Sequence, residues 1–377
     1  MSSLPAAKPV VKKFYLPQLD GVRFIAFFLV FLRHNIPVND RVLAWISPSA
    51  QRLFIATRDT LGFGLSLFFF LSSYLITSLL ILEKDKLGTI NLPMFYVRRI
   101  LRVWPLYFAL IAIVSLVGIW REPEHMEISR VISMVALSTN WYIQYHGIGP
   151  FILGPLWSIA VEEQFYVVWP TLFKTVNISR MVAVTALVAL ISLAATAMLV
   201  YHGSNGQDLW VNSLSEALFF AVGGLLALVT SFQRKASIVY AAILGLAGAA
   251  IWLTSEYFTG IIDWSAHLTW FTAAAGYLGI AIGCCLILLA ALHFPASLVP
   301  RWLVYLGKIS YGLYMFSALA MYLVSLTPKH WHLRSPGWSE MLNLLITFVI
   351  AAASYRFFEK PFLKFKEKFE WIKTRAA

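Results

Sequence analysis

Residues 19–35 read LDGVRFIAFFLVFLRHN. From Phe24 to Leu32 the stretch is unbroken apolar side chains, and the apolar character runs on to about residue 38. A helix of about 20 mainly apolar residues crosses the hydrocarbon core of a bilayer, so 20–38 is expected to be a membrane helix. No small-residue cleavage site follows it, so it is expected to stay in the chain rather than to be removed as a signal peptide. Yet it carries Arg23, Arg33 and His34. An ionisable residue inside a span costs about 2.5–3.5 kcal/mol on insertion scales, which makes each a functional candidate.

The remainder of the chain fits the same solvent. Of 377 residues 59% are hydrophobic and 13% charged, with mean hydropathy +0.73. Soluble domains carry about 25% charge, so disordered, collagenous, coiled-coil and disulfide-scaffold classes are excluded. Apolar runs predict an all-α integral membrane protein of about ten transmembrane helices, at 20–38, 61–82, 99–120, 155–173, 181–201, 209–231, 237–257, 267–292, 302–326 and 340–358. Cys284 and Cys285 adjoin inside one such run and read as helix packing. Gly223, Gly224, Gly245 and Gly248 read as close helix contacts.

The net charge of +12, from 30 Lys and Arg against 18 Asp and Glu, would suit a nucleic-acid partner, but positive-inside loops account for it and no nucleic acid is expected. With the N-terminus inside, twenty cationic residues fall in inner segments and seven in outer ones, leaving Arg23, Arg33 and Arg356 within or at the edge of spans. Both termini are therefore expected in the cytoplasm and the chain in the inner (cytoplasmic) membrane, multi-pass. The longest outer connection, about 121–154, is rich in Trp, Tyr, Gly and Pro and is expected to shape the mouth of a cavity.

Three clusters exceed what packing explains. Arg23 and His34 are eleven positions apart, which returns them to within about 20° of one helix face, roughly 16 Å apart; Arg33 points about 100° away and is expected to snorkel outward. Arg98, Arg99 and Arg102 begin the third span. They read either as positive-inside flanking or as a phosphate clamp, since the guanidinium fork matches phosphate oxygens. Glu162 and Glu163 stand about two turns into the fourth span, expected in its outer half at a depth similar to His34. Asp20 reads as an N-cap, Glu359 as interfacial, Ser310 and Tyr311 as hydrogen bonds between helices, and Glu216 as a lone acid without a role. The histidines of predicted loops, His125, His146, His330 and His332, lack metal-ligand spacing, so no metal is expected.

With these segments in view the chain resembles the membrane acyltransferase 3 family over nearly its whole length. The resemblance rests on 19–35, on SLFFFLSSYLIT at 66–77, FYVRRILRVWPLY at 95–107, LWSIAVEEQFYVVWP at 156–170, LGKISYGLYMF at 306–316 and FFEKP at 357–361, in order. It implies an O-acyltransferase moving acetyl from cytoplasmic acetyl-CoA to a hydroxyl of a cell-surface polysaccharide, such as an exopolysaccharide, or of its lipid-linked precursor. The family's Arg and His pattern falls on Arg23 and His34, with the His regarded as catalytic; its Arg-x-x-Arg on Arg99 and Arg102; its Trp-Ser and following acid on Trp157, Ser158 and Glu162 or Glu163. The family commonly has Ser-Gly-Phe where Ser72-Ser73-Tyr74 stands, and often His where Ser317 stands. Some relatives add an extracytoplasmic hydrolase-like domain; here a polysaccharide-assembly partner is expected to be a separate chain.

Residues and resemblance together suggest a cytoplasmic segment 1–18, a transmembrane acyltransferase domain 19–358 and a basic cytoplasmic tail 359–377. Arg99 and Arg102, with Arg98 beside them and Arg23 above, are expected to hold the CoA phosphates. His34 is expected to act as general base on a carbohydrate acceptor, with Glu162 or Glu163 orienting it. Direct transfer and an acetyl-His relay both fit. The competing class is a glycan transporter or flippase whose buried charges line a path, disfavoured by the absence of an inverted repeat.

Overall fold

The computed structural model describes residues 14–121, 127–149, 151–230, 237–262, 267–327, 337–370 and 372. The N-terminal segment expected to be cytoplasmic thus lies mostly outside the described residues, as do His125, His330, His332 and the cations Arg234, Lys235, Lys373 and Arg375. Every described element is helical. Ten long helices occupy the expected positions: α1 Pro17–Asn35, α2 Gly64–Leu87, α3 Leu92–Arg121, α4 Leu156–Thr175, α5 Ile178–Tyr201, α6 Ser213–Val229, α7 Ile238–Thr259, α8 Trp270–His293, α9 Ser310–Ser325 and α10 Trp338–Ser354.

Among the described residues six helical stretches are long and apolar enough to cross a membrane, including Ala50–Leu87, which joins α2 to the helix before it, and Trp338–Phe369, which extends α10. The helix Arg301–Lys308 and α9 qualify only as a pair, bent by 66°. α1 and α4 are outside this set; they carry the charges that matter below. The expected tail does not leave the bundle at residue 359. A π-helical turn over Tyr355–Glu359 leads into a further helix, Lys360–Lys366, that packs on α3.

Two apolar cores flank α1. Leu19, Val22 and Ala26 belong to one, with residues of α2, α6 and α8; Phe27 and Phe31 belong to the other, with residues of α3, α9 and α10. α1 is thus buried on opposite faces, and glycines set its position. A Cβ on Gly64 would lie 2.4 Å from the Ala26 carbonyl oxygen, and one on Gly307 2.0 Å from that of Asp20. Only glycine lets those backbones meet. Elsewhere Gly223 meets the Phe70 carbonyl and Gly248 that of Gly283, as expected of small residues between membrane helices. Cys284 is buried and Cys285 partly so, both in α8.

The connection 121–154 is not a simple rim. Its helices Ile128–Val135 and Thr139–His146 fold down on the bundle: Tyr107 donates to the Met134 carbonyl at 2.8 Å, and Asn140 to that of Val211 at 3.1 Å.

Replacing Gly307 or Gly64 by Ala is expected to destabilise the protein by about 1–3 kcal/mol through overpacking. Gly245→Ala, whose Cβ would meet only Ala290 at 3.7 Å, is the control. Thermal unfolding in detergent checks this: equal melting temperatures in all three variants would show that α1 is not held by backbone contact.

Candidate functional site

A cavity of about 210 Å³ lies between α1, α2, α3, α4 and α9, and is closed on one side by the segment after α10. Its wall places together most of the charged residues singled out from sequence: Asp20, Arg23, Arg98, Arg99, Arg102 and Glu162, with Ser158, Ser310 and Tyr311. His34, Glu163, Trp157 and Glu359 are not on that wall.

Glu162 projects into the cavity from α4. Its carboxylate accepts the Ser72 hydroxyl from α2 and the Tyr166 hydroxyl one turn along α4, and those two hydroxyls are themselves 2.6 Å apart. Glu163 turns the other way and accepts the Trp104 indole N–H at 2.9 Å. Adjacent carboxylates on a helix point about 100° apart, so one serves the cavity and the other the α3 interface. Trp157 is a core residue, edge-on to Phe69 and Trp210. Ser158 bonds the Pro155 carbonyl and the Tyr314 hydroxyl, at 2.9 and 2.7 Å.

The arginines divide by partner. Arg98 is bound to Glu83 at 2.9 Å and to the Phe369 carbonyl at 3.0 Å, so it serves as a structural tie. Arg23 faces Asp20 at 3.4 Å. Asp20 is no N-cap: the helix starts at Pro17, and the Asp20 carboxylate accepts the Tyr15 hydroxyl at 3.0 Å. Arg99 makes no ion pair among the described residues. Its guanidinium lies over the Tyr166 and Phe95 rings, 5.2 and 5.5 Å from their centroids, and its buried Nε has no acceptor. Such a group is a candidate anion ligand.

Two expectations about depth are corrected. Arg33 does not snorkel outward; it turns inward to Asp59 at 3.5 Å, an acid also bound by Arg58 at 2.6 Å. And Glu162 and Glu163 do not share the depth of His34. Arg33 meets Asp59 while Glu162 meets Ser72, thirteen residues further along the rod Ala50–Leu87, or about 20 Å at 1.5 Å per residue. The connection before α4 packs on the bundle, and Leu156 at the start of α4 is already buried. The expected carboxylate and imidazole pair is therefore absent. His34 is exposed at the far end of α1, in the field of the Arg33 and Arg58 guanidiniums.

The remaining candidates are structural. Tyr311 donates to the Val103 carbonyl at 2.9 Å, a bond between helices, whereas Ser310 bonds locally to Gly307 at 3.0 Å. Glu359 is buried, not interfacial, and accepts the Ser354 hydroxyl at 3.1 Å. Glu216 accepts the Tyr277 hydroxyl at 3.1 Å. Sequence reading missed Tyr166, Glu83, Lys366 and Glu370. The i, i+4 spacing of Glu162 and Tyr166 was a usable signal for the first; the others meet only through tertiary contact.

A family model described as an acyltransferase domain matches residues 16–356. The chain belongs to the acyltransferase 3 family. Among its curated relatives is the peptidoglycan O-acetyltransferase OatA of Listeria monocytogenes, 28% identical over 376 residues that cover 93% of this chain and 56% of that protein. The O-acetyltransferase OatA of Staphylococcus aureus is 29% identical over 381 residues, 93% of this chain and 57% of that protein. The chain thus spans just over half the length of these relatives. No solved structure matches.

The depth assignment is testable with cysteine pairs in a Cys284→Ala, Cys285→Ala background. Ser72→Cys with Glu162→Cys is expected to be joined by a short bifunctional thiol reagent, and His34→Cys with Glu162→Cys is not. Crosslinking of the second pair, read by mass spectrometry of peptides, would contradict the separation.

Proposed function

We propose that the chain is a multi-span O-acetyltransferase of the cytoplasmic membrane, with both termini inside, that moves acetyl from acetyl-CoA to a hydroxyl of a cell-wall or cell-surface glycan. The observation that carries this reading is Arg99, a guanidinium without an ion-pair partner among the described residues, in a cavity at the bundle end that carries Glu83, Arg98 and Lys366. The positive-inside bias supports that end as the cytoplasmic one. The relatives' names, O-acetyltransferase and peptidoglycan O-acetyltransferase, support the reaction and a glycan acceptor.

Arg99 and Arg102 fit the phosphates of the donor, whose thioester supplies the activated acyl group. Arg23, already facing Asp20, is a further cation on the same wall. Glu162 is held by Ser72 and Tyr166; its carboxylate can accept an amide N–H of the donor's arm and so fix its course. His34 lies about 20 Å further along, a separation that suits a donor whose phosphates and acyl group are far apart. In this reading the exposed imidazole takes the proton of the acceptor hydroxyl as that oxygen attacks the thioester carbonyl; the C–S bond breaks and CoA leaves as a thiolate that takes up the proton. Arg33 and Arg58, both paired with Asp59, stand beside it.

Membranes containing the protein, supplied with labelled acetyl-CoA and glycan, should form a base-labile glycan ester. His34→Ala is expected to lower the rate by about 10²–10⁴ with little change in donor binding. Arg99→Gln is expected to raise KM for acetyl-CoA about tenfold or more, through loss of a charge-assisted bond. Full transfer by His34→Ala would exclude the imidazole as base, and label crossing the bilayer without an ester would support transport instead.

A further inference from the structure

The segment after α10 reads from composition as a solvated basic tail, but its structure is that of a wall. Arg98 of α3 holds the Phe369 carbonyl at 3.0 Å while pairing with Glu83. Ile372, beyond the last helical turn, is 7% exposed. Lys366, Glu367, Glu370 and Ile372 all line the cavity. The Lys366 side chain is 13% exposed, and its ammonium interacts with Glu370 at 2.7 Å and stands in the repulsive field of Arg102 and Arg99.

Three cations from two elements thus converge on one cavity wall, and Arg99 holds a buried Nε without an acceptor. Burying like charges together is unfavourable unless an anion compensates. Asp20, Glu83, Glu162 and Glu367 stand on the same wall, and Glu370 pairs with Lys366 from the same short segment, at i, i+4. That contact lies within one segment, and the Glu370 carboxylate also acts on the Arg98 guanidinium of α3.

We propose that Lys366 is a phosphate-binding residue and that Glu370 occupies its ammonium until the phosphate of a nucleotide-linked thioester donor displaces the carboxylate. The inference rests on the placement of the donor in this cavity. It makes the segment 360–372 part of the donor site, held in place by Arg98. The ligand chemistry is a phosphate monoester or diphosphate. An anionic phospholipid headgroup at the same membrane face offers a similar group, so the test separates the two.

The full chain is placed in nanodiscs of phosphatidylcholine and titrated calorimetrically with adenosine 3′,5′-bisphosphate. Acetyl-CoA kinetics are measured on the same preparations. Lys366→Gln is expected to weaken bisphosphate binding and raise KM about ten- to thirtyfold with kcat within about twofold, and Lys366→Arg to restore both to within about threefold. Glu370→Gln is expected to tighten binding about two- to fivefold, because it removes the competing carboxylate; a merely structural ion pair would weaken on losing either member. Unchanged binding in Lys366→Gln, or parallel losses in Lys366→Gln and Glu370→Gln, would overturn the proposal. So would a tenfold loss of bisphosphate affinity when phosphatidylglycerol is added to the wild type but not to Lys366→Gln, which would assign the site to a lipid headgroup. Bisphosphate binding that depends on Lys366 in a wild type that transfers no acetyl would leave this site standing while removing the transferase reading. Acetyl transfer with an unchanged KM for acetyl-CoA in Lys366→Gln would do the reverse.

Discussion

The meeting of α1 with two glycines, Gly64 and Gly307, is the constraint on which the rest depends. Each contact is backbone against backbone, at Ala26 and at Asp20, so α1 has almost no freedom to rotate or slide. In lipid there is no hydrophobic drive between helices, and close small-residue contacts take its place. That grip decides which residues of α1 face the cavity. With Ala26 against Gly64, Asp20 and Arg23 are level with Ser72 and Glu162, and Arg33 is level with Asp59.

The same grip explains how a mostly apolar bundle tolerates its charges. Nearly every buried cation has an acid at hand: Arg98 with Glu83, Arg23 with Asp20, Arg33 and Arg58 with Asp59, Lys366 with Glu370. Pairing offsets desolvation and leaves little net charge within the bundle. Against that background Arg99 makes no ion pair among the described residues and is stacked on aromatic rings. The molecule thus has two polar ends, a cavity at one and an imidazole flanked by guanidiniums at the other, joined by the apolar body of α1. An enzyme that takes its donor from one side of a membrane and its acceptor from the other needs such a division.

Much of the fold was legible because a bilayer demands long apolar helices, and runs of that length stand out in any chain. Most expected segments correspond to long helices, whereas the one expected at 302–326 is broken into Arg301–Lys308 and α9. The cavity was partly legible for the opposite reason: charge is scarce enough that each buried instance is conspicuous, which singled out Arg23, Arg99, Arg102 and Glu162. What failed was depth. Counting turns from the expected start of α4 assumed that the span begins at the membrane surface, whereas the connection before it packs on the bundle and Leu156 is already buried. Basic composition likewise does not distinguish a solvated segment from one held by Arg98, as residues 360–370 are.

By itself the sequence determined that the protein is helical, that lipid is its main solvent, and which few ionisable residues needed a reason to exist. These follow from local quantities: hydropathy, periodicity and the cost of burying charge. Only the tertiary structure decided that Glu162 faces Ser72 and Tyr166 rather than His34, that Arg98 is a tie while Arg99 is available, and that Lys366 lines the cavity. Each of these depends on the relative height of two helices. Relative height is set by contacts between residues far apart in the chain, such as Gly307 with Asp20, which no local pattern encodes.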